Sequence, residues 1–245
     1  MTRLASLLAL LALWAVGAHF ADPRRLPGPL AVLAVMRDEA ASGALFTALG
    51  ATLVRVIAAF ALAMALGSAL GYAMGRSRAL DRIVDPWIVV LLNLPALVII
   101  VLAYIWAGLN EWAALAAVAL NKLPNAVVTL REGARAMDGG LDEMAAAFQI
   151  PAGRRFREIA LPQLAPYLAA ATRTGLSLVW KIVLVVEYMG RPNGIGFEIG
   201  AAFQLFDVAK LLAYALPFTA IMLLTETFLV RPFEARVARW RPHAA

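Results

Sequence analysis

Four ionisable side chains fall inside long apolar runs of this sequence: Lys122, Lys181, Glu187 and Glu226. Charge at bilayer depth costs several kcal/mol, so such groups line cavities or pair with one another. Lys122 sits in Leu120-Asn-Lys-Leu-Pro-Asn125, which places Asn121 and Asn125 beside it. Asn93 and Pro95 interrupt another apolar run, where a proline frees a carbonyl and an amide could face a polar route. One reading makes Asn93, Asn121, Lys122, Asn125, Lys181 and Glu187 the lining of a translocation pathway whose positive charge favours an anionic solute. The competing reading is that Lys122 or Lys181 merely neutralises Glu187. Lys181 and Glu187 are six residues apart and share no helix face, so both readings stay open. Arg55 and Arg173 read as boundary residues reaching to the headgroups.

Other chemistries are excluded by composition. With no cysteine there is no disulfide, thiol catalysis or cysteine-bound metal. The two histidines, His19 and His243, lie near opposite ends and form no metal-ligand spacing. No Gly-x-x-x-x-Gly-Lys-Ser/Thr stretch occurs, so the chain has no P-loop for ATP. Gly-x-Ser-x-Gly and His-Glu-x-x-His are absent as well. A net charge of +6 could attract nucleic acid, but the basic residues cluster at the ends of apolar segments, a pattern of membrane topology.

The elements that position these residues must be membrane helices. Hydrophobic residues make up 62% of the chain and charged ones 16%, with a mean hydropathy of +0.78. Soluble domains carry about 25% charged residues, so this surface needs lipid as its solvent. A span takes about 20 apolar residues in a helix, and six segments qualify: 4–21, 56–74, 83–107, 112–130, 167–187 and 208–230. Between them, 22–55 opens with a Pro/Arg turn and becomes amphipathic, 76–82 is short and basic, and 108–111 is a tight turn. The 189–207 segment reads as a loop with a short helix. Thirteen basic residues fall on the side of the N-terminus, Arg3, Arg236, Arg239 and Arg241 among them, against five on the other. The positive-inside bias then predicts both termini in the cytoplasm. A rival reading of the first span is a cleaved signal peptide ending near Val16-Gly17-Ala18. In the second span Ala59, Ala63, Gly67, Gly71 and Gly75 recur every four residues, which predicts a packing face.

Segment 141–162 reads Leu-Asp-Glu-Met-Ala-Ala-Ala-Phe-Gln-Ile-Pro-Ala-Gly-Arg-Arg-Phe-Arg-Glu-Ile-Ala-Leu-Pro. Asp142 and Glu143 suit the positive end of a helix dipole. Pro151 ends that helix and Gly153 permits a bend, so a second short helix is expected to run to Pro162. The product is a cytoplasmic elbow presenting Ala145, Ala146 and Ala147.

This segment resembles the EAA loop of ABC-importer permeases. Glu143, Ala145, Ala146, Leu161 and Pro162 fall at matching positions, while the family's glycine position holds Gln149, so Pro151 and Gly153 are expected to supply the turn. Leu26-Pro-Gly-Pro29, Thr52-Leu-Val-Arg55, Gly75-Arg-Ser-Arg78, Val186-Glu187 and Gly194-Ile-Gly196 are similar to the nitrate/sulfonate/taurine-type branch, over 26–241. The resemblance implies an all-α integral membrane protein, a type I ABC-importer permease with six transmembrane helices and a coupling helix. It implies one permease domain, 1–245, with an N-terminal span and periplasmic segment (1–45), core spans (46–230), a coupling loop (131–166) and a basic tail (231–245). It implies no cofactor in this chain, since ATP and Mg are bound by two separate ATPase subunits. A second permease copy in a homodimer, an extracytoplasmic solute-binding protein and the lipid bilayer are the other implied partners, with no nucleic acid. The solute would be a small anion of the sulfonate, nitrate, taurine or carboxylate kind, imported across a bacterial inner membrane. The alternatives are a secondary transporter or channel working alone, which would need inverted repeats or a carboxylate relay, and a non-transporting scaffold.

Overall fold

Helix is the regular structure found among the described residues. The computed structural model describes residues 2–233, so His243, Arg236, Arg239 and Arg241 lie outside it. In chain order the helices are α1 (Thr2–Phe20), α2 (Pro29–Ala41), α3 (Ala44–Arg76), α4 (Arg78–Asn93), α5 (Ala96–Ala107) and α6 (Glu111–Arg135). They continue with α7 (Gly139–Ala147), α8 (Ala152–Arg155), α9 (Leu161–Gly190), α10 (Ile195–Gln204) and α11 (Val208–Thr225). Short polar side chains start several of them. The Ser77 hydroxyl accepts the Leu80 amide at 3.3 Å, and Asn110 Oδ1 accepts the Ala113 amide at 2.9 Å.

Among the described residues, four stretches are long and apolar enough to cross a membrane: Ala44–Arg76, Glu111–Arg135, Ala152–Gly190 and Val208–Phe233. The expected third span is broken: α4 and α5 meet at 102° across Leu94 and Pro95, and count as a fifth span only if taken together. Pro95 has no amide to continue α4, and the residue before a proline is pushed out of the helical region; Leu94 has φ −73 and ψ 127. The first helix, α1, is 19 residues long and contributes the apolar stretch Ala5–Phe20. Among the described residues, length and composition therefore support four or five crossings, where the sequence predicts six. The second span also starts earlier than expected, at Ala44 rather than residue 56.

Nor does the chain stop at Pro162. Phe156–Ala160 forms a π-helical turn that runs straight into α9, with the Leu161 amide bonded to the Phe156 carbonyl. The wider turn accommodates the proline ring that follows it. The same device recurs at Glu226–Val230, just before Pro232.

The helices group into two compact units, one of residues 2–55 and 183–222 and one of 56–182 and 223–233. In the second unit the small-residue face of α3 packs on α6. A Cβ built on Gly67 would lie 2.7 Å from the Ala126 Cβ, and one on Gly75 would lie 2.5 Å from the Ala134 Cβ. Real Cβ atoms do not approach so closely, so glycine is required for this helix contact. In the first unit Trp14 Nε1 donates to the Pro27 carbonyl at 3.1 Å, fixing the turn between α1 and α2.

Candidate functional site

The elbow is built from the short helices α7 and α8. Asp138 opens α7 by accepting the Gly140 amide at 2.8 Å. The helix closes through two carbonyls: the Gln149 amide bonds Ala146 O at 3.1 Å and the Ile150 amide bonds Ala145 O at 2.9 Å. That paired pattern needs a left-handed residue between helix and exit, and Gln149 takes it with φ 51. The turn therefore falls on the position where the family carries glycine. Pro151, extended at ψ 144, lies in the link as the N-cap of α8, while Gly153 lies within α8 outside the left-handed region and does not supply the bend. Of the three alanines, Ala145 is buried and only Ala146 and Ala147 face outward with Glu143. Leu161 is exposed at the head of α9, with Pro162 beside it.

Asp142 carries a pair of contacts that the sequence does not announce. Its Oδ2 accepts Arg76 Nη2 from the last residue of α3 at 2.5 Å, and its Oδ1 accepts Arg155 Nε from α8 at 3.1 Å, with Arg155 Nη2 2.8 Å away. Partial burial raises the pKa of this carboxyl, but the bonds from Arg155 and Arg76 outweigh it and hold the group below its ordinary value. The Tyr72 and Phe156 rings meet edge to face at 5.6 Å, joining α3 to the same elbow a second time. On α4 and α6, Arg131 bonds Asp81 at 3.3 Å and also Asp85, and Arg135 bonds Asp81 at 2.5 Å.

In the first unit, Glu187 is fully enclosed. Arg55 Nη1 donates to its Oε1 at 2.8 Å; the Thr52 hydroxyl and the Gly196 amide each donate to its Oε2 at 2.9 Å. Arg55 also reaches Asn193, at 2.9 Å to the carbonyl and 2.5 Å to Oδ1, and Thr52 accepts the Ile195 amide at 2.8 Å. Gly194, at φ 109, passes so close that a Cβ would lie 2.5 Å from the carboxylate oxygens. Arg55 is thus no headgroup-seeking residue: it is 5% exposed and is the cation that balances Glu187, a role the sequence offers to Lys122 or Lys181. In the same unit, Tyr214 donates to Glu39 at 2.6 Å and Lys210 lies 3.2 Å from the same carboxylate. The tyrosine bond, reinforced by Lys210 against partial burial, keeps Glu39 below the usual carboxylate range.

The other expected pathway residues are placed on α4, α6 and α9. Asn93 is exposed and bonds back to the Val89 carbonyl at 2.7 Å, ending α4. Asn121, Lys122 and Asn125 follow one another on α6, half-buried, buried and exposed in turn; Lys181 is exposed on α9. Lys122 is 1% exposed, and no carboxylate pairs with it among the described residues. Its ammonium lies against Gly175, where a Cβ would come within 2.7 Å of Nζ.

The relatives of this helical membrane chain are transport permeases. The family model described as binding-protein-dependent transport system inner membrane component matches residues 63–239, and the chain belongs to that family. It is 36% identical over 71% of its length to an Escherichia coli protein named for aliphatic sulfonates transport, permease protein SsuC, covering 66% of that protein. It is 27% identical, over 95% of this chain and 84% of the relative, to a Bacillus subtilis permease protein of the same name. The riboflavin transport system permease protein RibX of Chloroflexus aurantiacus is 32% identical over 96% of this chain and 88% of its own. The crystal structure of an amino acid ABC transporter shares the fold, with a TM-score of 0.64 at 20% identity, covering 80% of this chain and 94% of that one. The chain is an ABC-importer permease of the inner membrane.

Proposed function

We propose that this permease imports a small anionic solute of the aliphatic-sulfonate type, driven by ATPase subunits that dock on the 139–162 elbow. The coupling role rests on the elbow itself: Glu143, Ala146 and Ala147 face outward from a helix closed by a left-handed residue at the family's glycine position. Small outward side chains let a partner groove close over the helix. Two such elbows, one from each copy of a homodimer, would receive two ATPase subunits, which bind the ATP and Mg this chain has no loop to hold. An extracytoplasmic binding protein would deliver the solute on the opposite side, with both termini in the cytoplasm. Closure of the ATPase pair would then tilt the spans between outward-open and inward-open states.

The anionic solute rests on Lys122. A buried ammonium without a carboxylate is costly, and a passing sulfonate would supply the missing charge. Asn121 and Asn125 on the same helix, and Lys181 on α9, are the other groups proposed to meet the solute. The sulfonate-named relatives point the same way, whereas riboflavin, named in another relative, carries no sulfonate and is the competing solute. Uptake of radiolabelled ethanesulfonate and of riboflavin into proteoliposomes holding permease, ATPase and binding protein decides between them. Ethanesulfonate uptake that falls at least about tenfold in Lys122→Met supports the reading, since one tenfold step is about 1.4 kcal/mol. Unchanged uptake in that variant, or transport of riboflavin alone, contradicts it.

A further inference from the structure

We infer that Asp142 is a positioning residue that ties the elbow helix α7 to the C-terminal end of α3, so that the two move together. This rests on the reading of 139–162 as the ATPase-docking elbow.

Packing does little to hold α7. Nine residues long, it buries a single side chain, Ala145. One methyl group contributes about 0.8 kcal/mol, too little to fix the helix angle. Orientation must then come from directional contacts, and Asp142 makes the strongest ones. Its two oxygens accept two different arginines from two different elements: Arg76 at the end of α3 and Arg155 at the end of α8. Charge-assisted bonds of this kind are short and geometrically specific. The Asp142 side chain is 15% exposed, so water screens it only partly. The Tyr72–Phe156 ring contact sits on the same two partners, α3 and the segment leaving the elbow.

What lies behind the joint makes it useful. The last two turns of α3 are pressed onto α6 through Gly71 and Gly75, with no space for a Cβ. Glycine contacts this close leave no slack between the two helices. A displacement of α7 therefore reaches the end of α3 through Asp142, and α6 through α3. Glu143 next door faces outward to the partner. Adjacent acidic residues thus act in opposite directions, Glu143 toward the proposed ATPase and Asp142 toward the body of the permease.

The test measures ethanesulfonate transported per ATP hydrolysed in the same proteoliposomes, with assembly followed by co-purification of the ATPase. Asp142→Asn is expected to co-purify normally yet lower that ratio about fivefold or more, the low end of couplings between distant sites. Asp142→Glu restores part of it. Because the chain has no cysteine, Arg76→Cys with Asp142→Cys can be bridged by a short, reducible bifunctional thiol reagent. Bridging is expected to raise the ratio toward wild type, and reduction to lower it again. An unchanged ratio in Asp142→Asn, or a bridge that stops transport, overturns the inference, because the two elements would then move separately. Wild-type protein that neither binds the ATPase nor transports would instead remove the functional reading beneath it.

Discussion

Two arginine–carboxylate joints, alike in chemistry, sit in opposite surroundings. In one unit Glu187 is sealed from solvent with its oxygens occupied by Arg55, Thr52 and the Gly196 amide. In the other unit Asp142 holds Arg76 and Arg155, whose side chains are each more than a third exposed. The first joint draws a stretch of backbone, 193–196, onto a helix and leaves it no alternative partner. The second lets water reach its arginines, so it holds its helices together more weakly than the first. A dry, fully satisfied pair fixes a structure; a wet pair of the same type can carry motion without locking it.

Breaking the dry joint should have the largest effect. Glu187→Ala strands Arg55 in a buried site, and the expected loss is about 3–5 kcal/mol, the range for removing one partner of a buried pair. A drop in the detergent melting temperature, followed by fluorescence-detected size exclusion, checks it, and added salt should rescue little. The wet joint should respond less. Asp142→Asn is expected to cost no more than about 1 kcal/mol, and the difference from wild type should shrink in high salt. Its pH dependence has a definite sign. The folded-state pKa of Asp142 lies below the ordinary value of 3.8, so its contribution is complete above that value. It is lost as pH falls further through the folded pKa. A melting-temperature series descending below about pH 4 should therefore converge for wild type and Asp142→Asn. The smallest effect is a gain: Gln149→Gly removes a left-handed strain of about 1 kcal/mol and should raise the melting temperature slightly.

Long apolar runs made most helices legible in the sequence, because a bilayer demands length and apolarity together. The break at Leu94–Pro95 was signalled by the proline, although its 102° bend was not. The start of α3 at Ala44 was missed because its first turns carry no long apolar run that would mark a span. Ala145 was placed on the wrong face because an alanine run has no periodicity to orient it. Both ionic joints escaped for a different reason. Arg55 and Glu187 lie 132 residues apart, and Arg76 and Asp142 lie 66 apart, so only the fold brings them together. The sequence still held a trace of the dry joint. Thr52 to Arg55, Val186-Glu187 and Gly194-Ile-Gly196 are the short segments that resemble the sulfonate-type branch, and they supply nearly all of its members.

Whether the elbow couples this permease to its cognate ATPase is decided by co-purification of the two from detergent, scored by ATP hydrolysis with Glu143 and Ala146 intact or replaced by Arg and Trp. A stable wild-type complex is expected, with loss of docking or of transport-linked hydrolysis in both variants. A chain that purifies alone and transports without ATP, or variants that couple normally, would contradict the coupling role.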